Sequence, residues 1–257
     1  MTALAAGSFV PRPGPAPLAR MIRAQAGMEL RLLLRSGEQL LLTVAIPTLL
    51  LVLFAETPLV ALPGRRVDFL VPGVLGLAVL STAFTGQAIA VGFERRYGVL
   101  KRLGATALPR WALLVAKTLA VGAVELLQVV LLVGVGLILG WSPHGSAPPV
   151  VGLLLLATAA FSGLGLLMAG LLRAEATLAA ANLVYLVLLA LGGVVFPLTR
   201  FPSGMRSVLG YLPISALAGG LRSVLGAGVA VPAHDWLILL AWALGGLGLA
   251  AATFRWE

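Results

Sequence analysis

The 257-residue sequence has no cysteine and only two histidines, and 11% of its residues are charged. Without cysteine there is no disulfide, no thiolate metal site and no cysteine nucleophile, and the redox compartment stays open. His144 and His234 fall between the apolar runs, and neither has a second metal ligand at a usual spacing. There is no HExxH pair and no pair of acids within one apolar run. Serines and threonines are scattered without a base beside them, and no GxxxxGK[ST] loop is present to cradle a nucleotide. The chain therefore reads as non-catalytic.

What it has is apolar surface. Hydrophobic residues make up 60% of the chain, against roughly 45–50% in an average soluble domain, where charged residues reach about 25%. Several segments exceed the ~18 apolar residues that mark a transmembrane helix. A spanning segment must satisfy its own backbone, so the expected fold is an all-α polytopic membrane protein. Six spans are read at about 39–55, 69–93, 111–140, 150–172, 176–197 and 236–254. Pro47 lies in the first and makes it short or tilted. The opening residues hold Pro11, Pro13, Pro15 and Pro17 and lack the apolar core of a signal peptide. Residues 1–17 are expected to be a disordered leader, and residues 18–257 a single membrane domain.

The net charge of +9 would point to nucleic acid in a soluble protein, but among spans it encodes orientation. With an even number of spans both termini share a side. That side carries Arg12, Arg20, Arg23, Arg31, Arg35, Arg95, Arg96, Lys101, Arg102, Arg110, Arg173 and Arg255. The other carries Arg65, Arg66, Arg200, Arg206 and Arg222. The positive-inside rule then places both termini in the cytoplasm. Lys117 lies inside the third span near its cytoplasmic end, where its stem can snorkel.

Two stretches outside the spans have helical patterning. In "LARMIRAQAGMELRLLLRS", Leu18, Met21, Ile22, Met28 and Leu32 can share a face, with Arg20, Arg31 and Arg35 turned away. Such a helix lies in the headgroup plane, its arginines (Arg23 among them) near anionic lipid; the plain alternative is a basic flank that fixes topology. Between the fifth and sixth spans, "LTRFPSGMRSVLGYLPISALAGGLRSVLGAGVAVPAHD" is too interrupted to cross a bilayer and too apolar for a hydrated loop. Two short helices dipping into the outer leaflet fit it, provided protein shields their ends.

Within the third span, Glu125 and Gln128 share a face with Lys117. An ionised Glu125 at that depth costs on the order of 3 kcal/mol. It should face protein or a water-filled path, or be protonated: it either lines a substrate path or forms a packing hydrogen bond between helices, with Gln87 or Asn182 as partners. Lys117 is about 12 Å away along the helix, too far to pair with it. "GLILG" at 136–140 fits a GxxxG helix contact, and "FSGLGLLMAG" reads as a packing surface.

The most distinctive stretch is "FERRYGVLKRLGATALPRW", residues 93–111, where five basic residues stand between two apolar spans. Phe93, Tyr97 and Leu100 recur at helical spacing, Arg95 and Arg102 fall on another face, and Gly98, Gly104 and Pro109 bracket the segment. A loop that only holds topology needs the charges but not the amphipathic pattern. The pattern favours a short cytoplasmic docking helix.

These residues carry a resemblance. "FERRYGVLKRLGATALPRW" followed by "LLVAKTLA" resembles the first cytoplasmic loop of type-2 ABC exporter permeases, the class of daunorubicin-resistance-like drug exporters. "GGVVFPLTRFPSGMRSVLGYLPISALAGGLRSVL" is similar to their outer segment, and "FRWE" to their end. The sequence departs from the pattern at Val99, Ala107 and Gly192-Gly193, which bears on the docking geometry.

The resemblance implies six spans with an N-terminal elbow helix (Arg20, Arg23, Arg31, Arg35) and outer re-entrant helices. It implies an ATPase-coupling helix built from Glu94, Arg95, Arg96, Gly98, Leu100, Lys101, Arg102, Leu103, Thr106 and Pro109. It implies an outer gate around Phe196, Pro197, Pro202, Pro213 and Arg222. Two ATPase subunits would pair with this chain and a second permease, identical or sister. ATP and Mg would sit in the ATPase, with no cofactor in this chain. The cargo would be a hydrophobic small molecule, drug or lipid leaving across a bacterial plasma membrane. The competing class is a stand-alone channel or assembly factor with no ATPase partner.

Overall fold

A computed structural model of the chain describes residues 14–57 and 64–253. Arg12, Arg255, most of the leader and the closing "FRWE" lie outside the described residues. The described residues form helices and no strands.

The helices are α1 (Leu18–Arg35), α2 (Gly37–Glu56), α3 (Arg66–Val79), α4 (Gln87–Arg96), α5 (Val99–Gly104), α6 (Arg110–Ile138), α7 (Ala147–Leu171), α8 (Ala174–Leu191), α9 (Ser203–Leu209), α10 (Pro213–Leu225) and α11 (Ala233–Thr253). A π-helical segment, Leu80–Gly86, joins α3 to α4, so Arg66–Arg96 is one continuous span of 31 residues. The six expected spans fall on α2, α3 with α4, α6, α7, α8 and α11. Five of them are long and apolar enough to cross a membrane; in α2 the apolar stretch among the described residues is only Thr43–Glu56. Pro47 sits inside α2, as the sequence requires.

The Arg66–Arg96 span is the hub. Its most apolar window is 78% buried, against 17% for α8 and 22% for α11. Every residue from Leu70 to Val79 is buried. α2, α6 and α10 pack on α3, α8 on α4, and α11 along α7. Small residues set the closest approaches: a Cβ on Gly163 would stand 2.5 Å from the Leu247 nitrogen, and one on Gly165 2.7 Å from the Phe84 carbonyl. "FSGLGLLMAG" is thus the packing surface its composition announced. "GLILG" is not one. Gly136 meets Val71 of α3, but Gly140 lies beyond the end of α6 and its carbonyl accepts from Arg65 at 2.5 Å.

The fifth span is shorter than its apolarity implies. α8 stops at Leu191, and Gly193 at φ 73° turns the chain, so Phe196 and Pro197 stand outside the helix. After that bend α9 and α10 meet at 91°, the two short helices expected before the last span.

Candidate functional site

At one end of the molecule the predicted coupling segment divides into three parts. α4 runs to Arg96; Gly98, at φ 69°, reverses the chain through a backbone state that only glycine adopts freely. α5 follows, and Pro109 then precedes the first residue of α6. Leu100 is 0% exposed and, with Leu108 and Leu103, packs into a small separate core with Val91, Leu113 and Ala169. Lys101, Arg102 and the turn at 104–107 are exposed on the opposite side. The Thr106 hydroxyl bonds the Leu103 carbonyl at 2.6 Å and accepts from the Leu108 N–H at 3.3 Å, which fixes that turn. The result is a short helix with an apolar underside seated on the bundle and a basic top.

One expectation about this segment needs correction. The apolar face is not Phe93, Tyr97 and Leu100, because the Gly98 turn breaks the periodicity: Tyr97 stacks on Phe93 and is 67% exposed. Arg95 and Arg96 both have partners within the chain. Arg95 donates to the Ala169 and Gly170 carbonyls at 3.0 and 2.6 Å, capping the end of α7. Arg96 pairs with Glu175 in the first turn of α8. Glu94 points inward, to Lys117.

Glu94 belongs to a buried ion cluster that the sequence reading did not foresee. The Lys117 ammonium, 4% exposed, lies 2.9 Å from Glu29 Oε1 of α1 and 2.7 Å from Glu94 Oε2 of α4. Gln25 donates to Glu29 Oε1 at 2.8 Å. Lys117 therefore does not snorkel to water; it clamps α1, α4 and α6 together. Desolvation makes such a cluster costly, and two carboxylates around one ammonium are what compensate it. A signal was present in α1: Gln25 and Glu29, four apart, put two polar groups on one face of the helix.

That face corrects the elbow as well. The side of α1 that packs on α6 is centred on Gln25 and Glu29 with Met21 and Ile22 beside it, whereas Met28 and Leu32 are exposed. Arg20, Arg23, Arg31 and Arg35 are exposed.

Deeper in the bundle, Glu125 and Gln128 find partners other than those foreseen. The Thr158 hydroxyl of α7 bonds Glu125 Oε2, while Gln87 accepts from Ser162 at 2.9 Å and Asn182 donates within its own helix. Gln128 accepts from Thr82 at 2.9 Å and donates to the Thr43 carbonyl at 2.9 Å, tying α6 to the π segment and α2. Lys117 and Glu125 form no pair. At the other end, Arg222 of α10 donates to the carbonyls of Phe69, Gly193 and Val194 at 3.1, 2.7 and 2.8 Å, with its guanidinium 3.6 Å above the Phe69 ring. It pins the bend after α8 to α3. Of the other expected gate residues, Pro202 and Pro213 precede and open α9 and α10, and Phe196 is exposed.

Among the described residues no three His, Cys, Asp or Glu side chains gather as a metal site. The chemistry in view is mechanical: a seated basic helix, a buried ionic clamp among α1, α4 and α6, and a pinned bend at the far end. Comparison with curated proteins finds no match. The family model described as ABC-2 type transporter matches residues 22–225, from the first turns of α1 to the end of α10.

Proposed function

The chain belongs to the ABC-2 type transporter family, and from that premise we propose that it is the permease of an ATP-driven exporter of hydrophobic small molecules, drugs or lipids. As a member of that family it is the membrane component of an ABC transporter, an assembly that includes an ATPase. Two such permeases, identical or sister, pair with two ATPase subunits, and ATP and Mg act there. The coupling face is the exposed side of α5 and its turn, Lys101, Arg102 and Thr106, facing the cytoplasm of a bacterium.

The observation that carries this reading is the two-sided build of α5. Its basic top is free to meet an ATPase, and its underside, Leu100 and Leu103, cannot move without the ends of α6 and α7. A push on α5 passes into α4 through the Gly98 turn and into α1 and α6 through the Lys117 clamp. The far end of the same span meets Arg222 and the bend at 192–197, where the outer gate opens. Cargo leaves outward when the ATPases close on ATP.

The test is co-purification with the ATPase, comparing wild type with Lys101→Glu/Arg102→Glu. Arg95 is left untouched because it caps α7. The double variant should insert normally but lose bound ATPase or its stimulation by the permease. Unchanged binding and stimulation would reduce the segment to a topology signal.

A further inference from the structure

Glu125 lies at the bottom of a cleft that belongs to none of the machinery above. Between α6 and α7 lies a cavity of about 540 Å³, within the ~300–1,000 Å³ that small-molecule sites occupy. Its walls are aliphatic, Val129, Val133, Val150 and Leu154, and its mouth is framed by Leu126 and Leu155, each 65% exposed. The cleft ends at Trp141, whose backbone N–H returns to the Gly136 carbonyl at 2.9 Å. From Glu125 to that point the helix rises about 16 Å.

Two polar atoms at opposite ends of this apolar slot are unanswered. Glu125 is 5% exposed, its Oε2 takes the Thr158 hydroxyl, and its Oε1 is buried with no hydrogen-bond partner. Trp141 is 4% exposed, and its indole N–H likewise has no partner. No lysine, arginine or histidine lines the cleft. Buried polar groups are nearly always satisfied, so each orphan in a cavity of ligand size marks a missing partner. A carboxylate wants a cation there and an indole wants an acceptor.

We propose that the α6–α7 cleft is a binding site, entered sideways from the membrane, for an elongated apolar molecule with a protonated amine at one end and a hydrogen-bond acceptor at the other. The ammonium pairs with Glu125 Oε1, the apolar body fills the slot, and the acceptor takes the Trp141 N–H. The site does not rest on the exporter reading: the same cleft would bind the same ligand if no ATPase joined the chain.

Dansylcadaverine is a suitable probe, with a primary amine, a short alkyl stem and a sulfonyl acceptor beside a fluorophore that accepts energy from tryptophan. With the full chain in lipid nanodiscs, it should show saturable energy transfer. Its N-acetyl derivative and the Glu125→Gln variant should each weaken binding on the order of tenfold, the loss of one charge-assisted contact. Trp141→Phe, which removes the N–H donor, should weaken binding severalfold, with the remaining tryptophans, Trp236 beside the cleft among them, still reporting the transfer. Leu155→Trp, which fills the mouth and leaves the carboxylate in place, should block the probe even if Glu125→Gln compromises folding. Equal affinity for the amine and its acetylated form, full binding by Leu155→Trp, or unchanged affinity in Trp141→Phe would overturn the site.

Discussion

Lys117 holds one positive charge between two carboxylates that come from different helices, α1 and α4. Lys117→Met leaves Glu29 and Glu94 buried without a counter-ion, a change expected to cost ~3 kcal/mol. Denaturant or thermal unfolding in detergent should show that loss, and adding Glu29→Gln and Glu94→Gln should restore most of it. If the single variant is as stable as wild type, the clamp carries no load. The cluster was hard to read because Lys117 and Glu29 stand 88 residues apart, and a cation near a helix end has an ordinary explanation in snorkelling. Glu125 was legible, since an acid inside an apolar run is conspicuous. Its partner was not, because nothing in the pattern of α7 distinguishes Thr158 from other threonines whose hydroxyls bond their own backbone.

At the scale of the element, helix contacts in this bundle depend on absent side chains. Gly163→Ala puts a methyl group against the α11 backbone at Leu247 and should destabilise by about 1–3 kcal/mol. Gly134→Ala, which meets nothing within 4 Å, should be neutral or gain up to ~1 kcal/mol. Parallel melting curves of the two variants separate packing from propensity; equal effects would sink the explanation. Hydropathy located all the long helices within a few residues, and "FSGLGLLMAG" identified the seam. It placed the end of α8 too late, because Val194, Val195 and Phe196 continue the apolar run past the Gly193 turn. It also read α4 and α5 as one face, because the left-handed turn at Gly98 changes direction without changing composition.

For the whole molecule, orientation remains to be tested directly, and a chain without cysteine is ready for it. Thr106→Cys and Ser146→Cys put single thiols on exposed turns at opposite ends. A membrane-impermeant maleimide should label Ser146→Cys in intact cells and Thr106→Cys only in inverted vesicles, by the distribution of arginine and lysine. The reverse pattern would place the termini outside. α8 and α11 leave most of their apolar windows uncovered within one chain, surface left to lipid or to a second permease. The hub itself is not wound evenly. From Leu80 to Gly86 the backbone takes the wider π turn, which over seven residues holds the span back by roughly a quarter turn relative to an unbroken α-helix. Substitution effects scanned along Arg66–Arg96 should therefore be felt at every position from Leu70 to Leu80, while the tolerant positions that begin at Ser81 should step through Thr85 and Gly86 in the π segment before continuing at Ile89 and Ala90, a dogleg rather than a line.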